Sequence, residues 1–347
     1  MRKTVTIALV AASSLALSAC GSSGGSGSGS RDYIRAVGSS TVYPFATAVA
    51  EEYAKTGGKS PVVEATGTGA GMKLFCAGVG AQHPDIETAS RRIKKSEYEL
   101  CQKNGVAEIV EVQVGIDGIA FAEAKSGPGM KLTPEDVYKA IAANPYGKPN
   151  QAKSWKDVNP ALPDMPILVY GPPSTSGTRD ALAELILTAG CKTDPATAAL
   201  KESDEDKFEA ICTQVREDGA YVDAGENDNL IVQKISQNPK AVGVFGYSFL
   251  EANPDALKGI PMSGVEPTYE TISDFSYPGA RPLYIYVKKA HVGPISGLGE
   301  YVATWPKVWG PDGLLKSKGM VISPQDVRAR NAEVVANMTP LDPSALK

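Results

Sequence analysis

The chain has 347 residues, is 42 % hydrophobic and carries a formal charge of −4. That length and apolar content suffice for two lobes with sizeable cores. Net acidity without a dense Lys/Arg run excludes a nucleic-acid binder, and any bound anion must be held by local donors rather than by the overall field.

The first twenty residues read as an export signal. Arg2 and Lys3 form a positive start, Ile7 to Leu17 an apolar core, and Leu17-Ser18-Ala19-Cys20 the end. The apolar run is shorter than the roughly 20 residues that span a bilayer, so a cleaved signal is expected. The ending resembles a bacterial lipobox, which implies lipidation of Cys20 and a protein anchored to a membrane in the periplasm or at the cell surface. Residues 21–31, almost all Gly and Ser, form a flexible tether.

Beyond the tether, strands and helices alternate. Ile34 to Val37 is a strand, followed by a Ser/Thr turn and an amphipathic helix from Tyr43 to Lys55. Pro61 to Ala65 is extended, and a Gly-rich turn leads into a helix from Met72 to Ala77. Ile109 to Val114 and Gly118 to Ala122 are apolar strands, and Pro134 to Ala143 is a helix capped by Thr133. Ile167 to Tyr170 is a strand backed by a helix from Arg179 to Thr188; Leu230 to Asn238 is helical. Ala241 to Gly246 and Leu283 to Val287 are buried strands. This order predicts an α/β fold with helices on both faces of parallel-type sheets.

With Cys20 set aside, Cys76, Cys101, Cys191 and Cys212 remain. In an oxidising compartment they make two disulfides, and three pairings are open. Cys76–Cys101 and Cys191–Cys212 are expected, because each pair lies within one predicted lobe and closes a short helix-containing segment. No Cys-x-x-Cys occurs, and His83 and His291 are the only histidines, so no metal site is expected.

Three turns share one design: Gly38-Ser39-Ser40-Thr41, Thr66-Gly67-Thr68-Gly69-Ala70-Gly71 and Ser174-Thr175-Ser176-Gly177-Thr178-Arg179. Each lies between a predicted strand and a predicted helix. Helix N-termini offer unpaired N–H groups and partial positive charge, Gly allows close approach, and hydroxyls add neutral donors. Taken singly, each cluster is an ordinary cap; three converging would surround a tetrahedral oxyanion. The Gly67 segment lacks the Gly-Lys-Ser/Thr ending of a Walker loop, and its glycine spacing does not match a dinucleotide fingerprint. Arg179 opposes the macrodipole of its own helix, so a bidentate anion contact is the functional reading, with Arg91 as a second candidate. For Arg91 and Arg92 the alternative is a solvated surface pair.

These residues bring a family into view. The chain resembles the periplasmic phosphate-binding proteins, substrate-binding lipoproteins of ABC-type phosphate importers. The resemblance runs from Val37 to about Val335 and rests on Gly38-Ser39-Ser40-Thr41-Val42 with Pro44, Gly67-Thr68-Gly69, Ala89-Ser90 and Thr175-Ser176-Gly177-Thr178-Arg179. Gly243-Val244-Phe245-Gly246-Tyr247 and Arg281-Pro282-Leu283-Tyr284 fit later segments. It implies a type II periplasmic-binding-protein fold with a cleft between lobes joined by two crossover strands, near Ile116 to Glu123 and Arg281 to Lys288. The expected division is residues 32–117 with 287–347 in lobe one and 122–281 in lobe two.

Carried over by position, the resemblance assigns phosphate contacts to Ser40 and Thr41, to Thr68 and Ser90, and to Ser176, Gly177 and Thr178. Two positions depart from it. Well-studied members place an Asp directly after the Ser matched by Ser90, where this chain has Arg91. They also place an arginine four residues before the Ser matched by Ser176, where this chain has Pro172, and Arg179 follows the turn instead. A carboxylate in the site accepts the proton of hydrogen phosphate and rejects sulfate; Asp117, in Gly115-Ile116-Asp117-Gly118, is the candidate replacement, although an Asp before Gly also simply forms turns.

The expected function is capture of inorganic phosphate and its delivery to a membrane permease, by a monomer without cofactor or catalysis. A sulfate, molybdate or tungstate binder is the alternative. A secreted phosphatase would need an activating base or metal for its serine, and none is visible. In an adhesive or structural lipoprotein the turns would be caps only.

Overall fold

The computed structural model describes residues 31–346 except Glu226. The export signal, Cys20 and all of the tether but Arg31 lie outside them. The strands are β1 (Arg35–Gly38), β2 (Val62–Ala65), β3 (Ile86–Ala89), β4 (Ile109–Ala124), β5 (Val169–Gly171), β6 (Tyr221–Asp223), β7 (Val242–Gly246), β8 (Leu257–Gly259) and β9 (Ala280–Lys288). Their order is β2-β1-β3-β9-β4-β7-β5-β6, with β8 also on β4.

The two halves of this path repeat one plan. In the first, β2, β1 and β3 run parallel and the longer β9 lies antiparallel beside β3. In the second, β6, β5 and β7 run parallel and β4 lies antiparallel beside β7. Each long strand therefore edges three short ones, and the ends of the short strands open toward the junction. This is the two-lobed α/β architecture of the periplasmic binding proteins.

β4 joins the halves. Ile109 to Gly118 pairs with β9, Ile119 to Ala122 with β7, and Ala122 to Ala124 with β8. Two strands were expected here, split at Gly115 and Gly118. Instead one 16-residue strand runs through, with a register shift between Gln113 and Gly115. The glycines mark close packing rather than a break: a Cβ on Gly115 would lie 2.1 Å from Met320 Sδ, and one on Gly118 2.8 Å from Ile272.

Two large cores flank the junction. One gathers Phe121, Tyr138, Trp155, Ile186 and Phe245; the other gathers Phe45, Val49, Val112, Ile285 and Trp305. A smaller cluster holds Phe75, Tyr286 and the first disulfide. Burial on both faces explains why β7 and the Leu283–Val287 part of β9 read as apolar runs.

The helices that matter for the site are α1 (Tyr43–Lys55), α2 (Thr68–Phe75), α3 (Lys95–Lys103), α4 (Pro134–Ile141), α5 (Gly177–Ala181), α6 (Asp228–Gln237) and α7 (Gln325–Asn337). Thr133 caps α4 as expected, its hydroxyl accepting from the Asp136 N–H at 3.1 Å while Asp136 accepts in return. The second helix starts at Thr68, four residues before the expected Met72, because Gly67 turns the chain at φ 78°. The helix expected from Arg179 begins at Gly177 and passes into a π-helical stretch over Leu182–Leu187. Cys76 pairs with Cys101 and Cys191 with Cys212, the pairing expected from sequence.

Candidate functional site

The first donor turn owes its shape to Ser39. Its hydroxyl accepts from the N–H groups of Thr41 (3.2 Å) and Val42 (3.4 Å), and its carbonyl accepts from Tyr43 at 3.0 Å. Ser39 thus does the capping for α1, whose N-cap residue Val42 makes no side-chain cap, and Pro44 fixes the first turn. Ser40 and Thr41 are released for other work. In the third turn Ser176 is the cap, accepting from the Thr178 N–H at 3.3 Å.

These two turns meet. Thr41 Oγ1 donates to the Gly177 carbonyl at 3.0 Å, and Ser40 donates to the Asp180 carboxylate. They border a cavity of about 570 Å³ whose lining includes Ser40, Thr41, Phe45, Asp117, Ser176–Thr178, Asp228, Ser248, Lys318 and Gly319.

Thr68 and Ser90 form a separate pair on the same side as the first turn. Both are buried, the Ser90 N–H donates to Thr68 Oγ1 at 3.1 Å, and their hydroxyls are 3.1 Å apart. They do not line the cavity. Arg91 does not line it either: it grips Glu97 in α3 with two bonds, at 2.9 and 2.7 Å. With a further bond from Nη1 to the Arg92 carbonyl at 3.2 Å, Arg91 is held outside the cavity, at the position where the resemblance implies an acid.

The structure moves Arg179 furthest from its expected role. Its guanidinium lies 4.6 Å from the centroid of the Tyr221 ring and donates to the Pro172 carbonyl at 3.4 Å. It lines a different cavity, of about 430 Å³, with Arg216 and Tyr221. Cation–π stacking explains the placement that the helix macrodipole left unexplained.

The guanidinium that binds the cavity's lining residues belongs to Arg281, which sequence reasoning missed; it lies behind Thr41, Asp117 and Gly177 and does not itself line the cavity. It is 4 % exposed, on crossover strand β9. Nη2 donates to Thr41 Oγ1 at 2.7 Å and reaches the Gly177 carbonyl at 3.4 Å, Nε pairs with Asp117 at 3.1 Å, and Nη1 pairs with Glu184. One side chain thus touches the first turn, the third turn, β4 and the helix of the second lobe. The signal available in sequence was a single arginine at the head of the buried run Leu283 to Val287.

Asp117 does face the cavity. Burial pushes its carboxyl above the usual carboxylate range, against the opposing pull of Arg281. Burial also raises Glu184, with Asp180 adding to the shift and Arg281 and Arg91 opposing it. Beneath the turns, Glu87 is fully buried between Gly38 and Gly71 with neither carboxyl oxygen hydrogen-bonded; burial holds its carboxyl well above its ordinary value.

Comparison with known proteins agrees with this geometry. Residues 23–306 match the model of the PBP superfamily domain. Protein SphX of Synechococcus elongatus is 33 % identical over 278 residues, covering 76 % of this chain and 72 % of that one. The phosphate-binding protein PstS of Staphylococcus saprophyticus is 31 % identical, covering 83 % and 81 % respectively. A solved structure described as a possible phosphate binding protein from Planctomyces limnophilus is 29 % identical with a TM-score of 0.69, covering 88 % of this chain and 98 % of its own. Sheet topology, paired donor turns and these relatives together show that the chain belongs to the PBP superfamily, in the family of the PstS phosphate-binding proteins and SphX.

Proposed function

We propose that the protein captures inorganic phosphate in the interlobe cleft and hands it to the permease of an ABC importer. The observation that carries this is the meeting of the first and third donor turns at Arg281, which assembles neutral hydroxyl donors, backbone N–H groups and one buried guanidinium beside a cavity. The names of the PstS relatives support phosphate as the anion. Ser40, Thr41, Ser176, Gly177 and Thr178 are the ligand donors in this reading, with Thr68 and Ser90 extending the set from the first lobe as it closes.

Asp117 supplies the acid missing at position 91: it lines the cavity, is held by Arg281, and can accept the proton of hydrogen phosphate. The two cores support lobes of residues 32–117 with 287–347 and of residues 122–281, closing about β4 and β9. Binding and release, without catalysis, are the whole task. Lipidation at Cys20 would hold the body near the permease.

Calorimetric titration of ligand-stripped protein with phosphate, sulfate, arsenate and molybdate tests this. Saturable phosphate binding with sulfate excluded is expected. Tight sulfate binding without phosphate binding would replace the anion and keep the cleft.

A further inference from the structure

We propose that Glu184 is a built-in competitor for the captured oxyanion: it holds one edge of Arg281, and a phosphate-type dianion takes that edge from it on binding. The proposal rests on the oxyanion reading above and deepens it.

Arg281 has partners of two kinds. Asp117 on Nε and Thr41 on Nη2 are enclosed, with the Asp117 side chain 14 % exposed and Thr41 buried. Glu184 on Nη1 is different, its side chain being 49 % exposed. Half in water, the Glu184 carboxylate keeps part of its hydration in the pair, so its departure strands no buried charge of its own once an anion takes its place on Arg281. Asp117 cannot leave so easily, because its carboxyl would be stranded in the interior. Nη1 is therefore the edge of the guanidinium that can change hands.

The surrounding charges fit an exchange. Glu184 faces Arg281 from β9, Asp180 from one turn earlier on its own helix, and Arg91 from the loop after β3. Asp180 meanwhile accepts from Ser40. Two carboxylates from the second lobe thus occupy donors, Ser40 and Arg281, that a tetrahedral anion would use. Asp117 and Glu184 together place two negative charges on one positive group. A dianion at Nη1 outbids a single carboxylate because charge-assisted bonds strengthen with the acceptor's charge, whereas a monoanion gains no such margin. The device lowers phosphate affinity and sharpens selection for doubly charged ligands.

The test is calorimetric titration of wild type, Glu184→Gln and Glu184→Ala with inorganic phosphate at pH 8, where it is mainly a dianion. Both variants should bind phosphate about fivefold more tightly than wild type, equivalent to about 1 kcal/mol, with far-UV circular dichroism unchanged. Equal or weaker binding by both variants, with wild type still binding phosphate, overturns the competitor role and leaves the oxyanion reading standing. Wild type that binds neither phosphate nor sulfate overturns both.

Discussion

Thr41 and Gly177 touch across the two lobes with no room for a side chain between them: a Cβ on Gly177 would lie 2.4 Å from Thr41 Cα. The Thr41 hydroxyl donates to the Gly177 carbonyl at 3.0 Å in the same contact. Gly177→Ala should therefore wedge the turns apart. Phosphate affinity is expected to fall at least about tenfold, roughly the 1.4 kcal/mol that a misfit of one methyl imposes on a close contact. Calorimetry reads the loss, and a melting temperature within a few degrees of wild type would place the damage in the cleft.

Arg281→Lys keeps the charge and loses the planar fork. A lysine cannot serve Asp117, Thr41 and Glu184 together, so affinity should fall about tenfold or more and stability by about 2–3 kcal/mol. Urea unfolding and phosphate titration of the same preparation check both. Unchanged binding would remove Arg281 from the site.

Arg179→Ala is the matching contrast. Its guanidinium stacks on Tyr221 and faces another cavity, so phosphate affinity should stay within about twofold of wild type. A loss comparable to that of the Arg281 variant would mean that Arg179 swings into the cleft after all.

Glu87 makes a prediction about pH. Its carboxyl is raised in the folded protein by burial, so its contribution to stability is complete below the unfolded carboxyl value, about 4.3, and is lost as pH rises through the raised folded value. Glu87→Gln does not titrate. Its stability relative to wild type should therefore increase between pH 4 and pH 8, measured by denaturant midpoints across that range. A constant difference would show that Glu87 keeps an ordinary titration.

The disulfides span sequence separations of 25 and 21 residues. Loop closure of that size gives about 3 kcal/mol each. Reduction should lower the thermal midpoint markedly, and Cys191→Ser/Cys212→Ser should account for about half of the loss.

Sequence revealed the elements whose pattern is strong. The Tyr43–Lys55 helix and the Thr133 cap follow from periodicity and capping chemistry, and of the three open cysteine pairings the one expected from lobe membership is the one formed. It did not reveal β3, because Ile86-Glu87-Thr88-Ala89 has no apolar run although every residue is buried. Nor did it reveal α7, whose apolar residues Val327, Ala329, Ala332, Val334 and Val335 are interleaved with charged ones and of which only Val335 is buried, and which is tied to β4 through the Asn331 side chain accepting from the Gln113 N–H at 2.7 Å. In the site, local chemistry marked the turns, and two of them converge. Choosing the arginine needed tertiary information: Arg179 adjoins the turn in sequence, whereas Arg281 arrives from 104 residues beyond Gly177.

The continuity of β4 gives the molecule a mechanical character. A strand of 16 residues reaches about 50 Å when extended, and its two ends are stitched into different sheets. Tension between the lobes loads it lengthwise, so the ladder bonds on each side share the load in shear instead of opening one by one. The β4–β9 ladder slips register once along this length, between Gln113 and Gly115. Each cycle of loading and unloading would thus fall on β4 and β9 together, since the two strands are paired from Ile109 to Gly118.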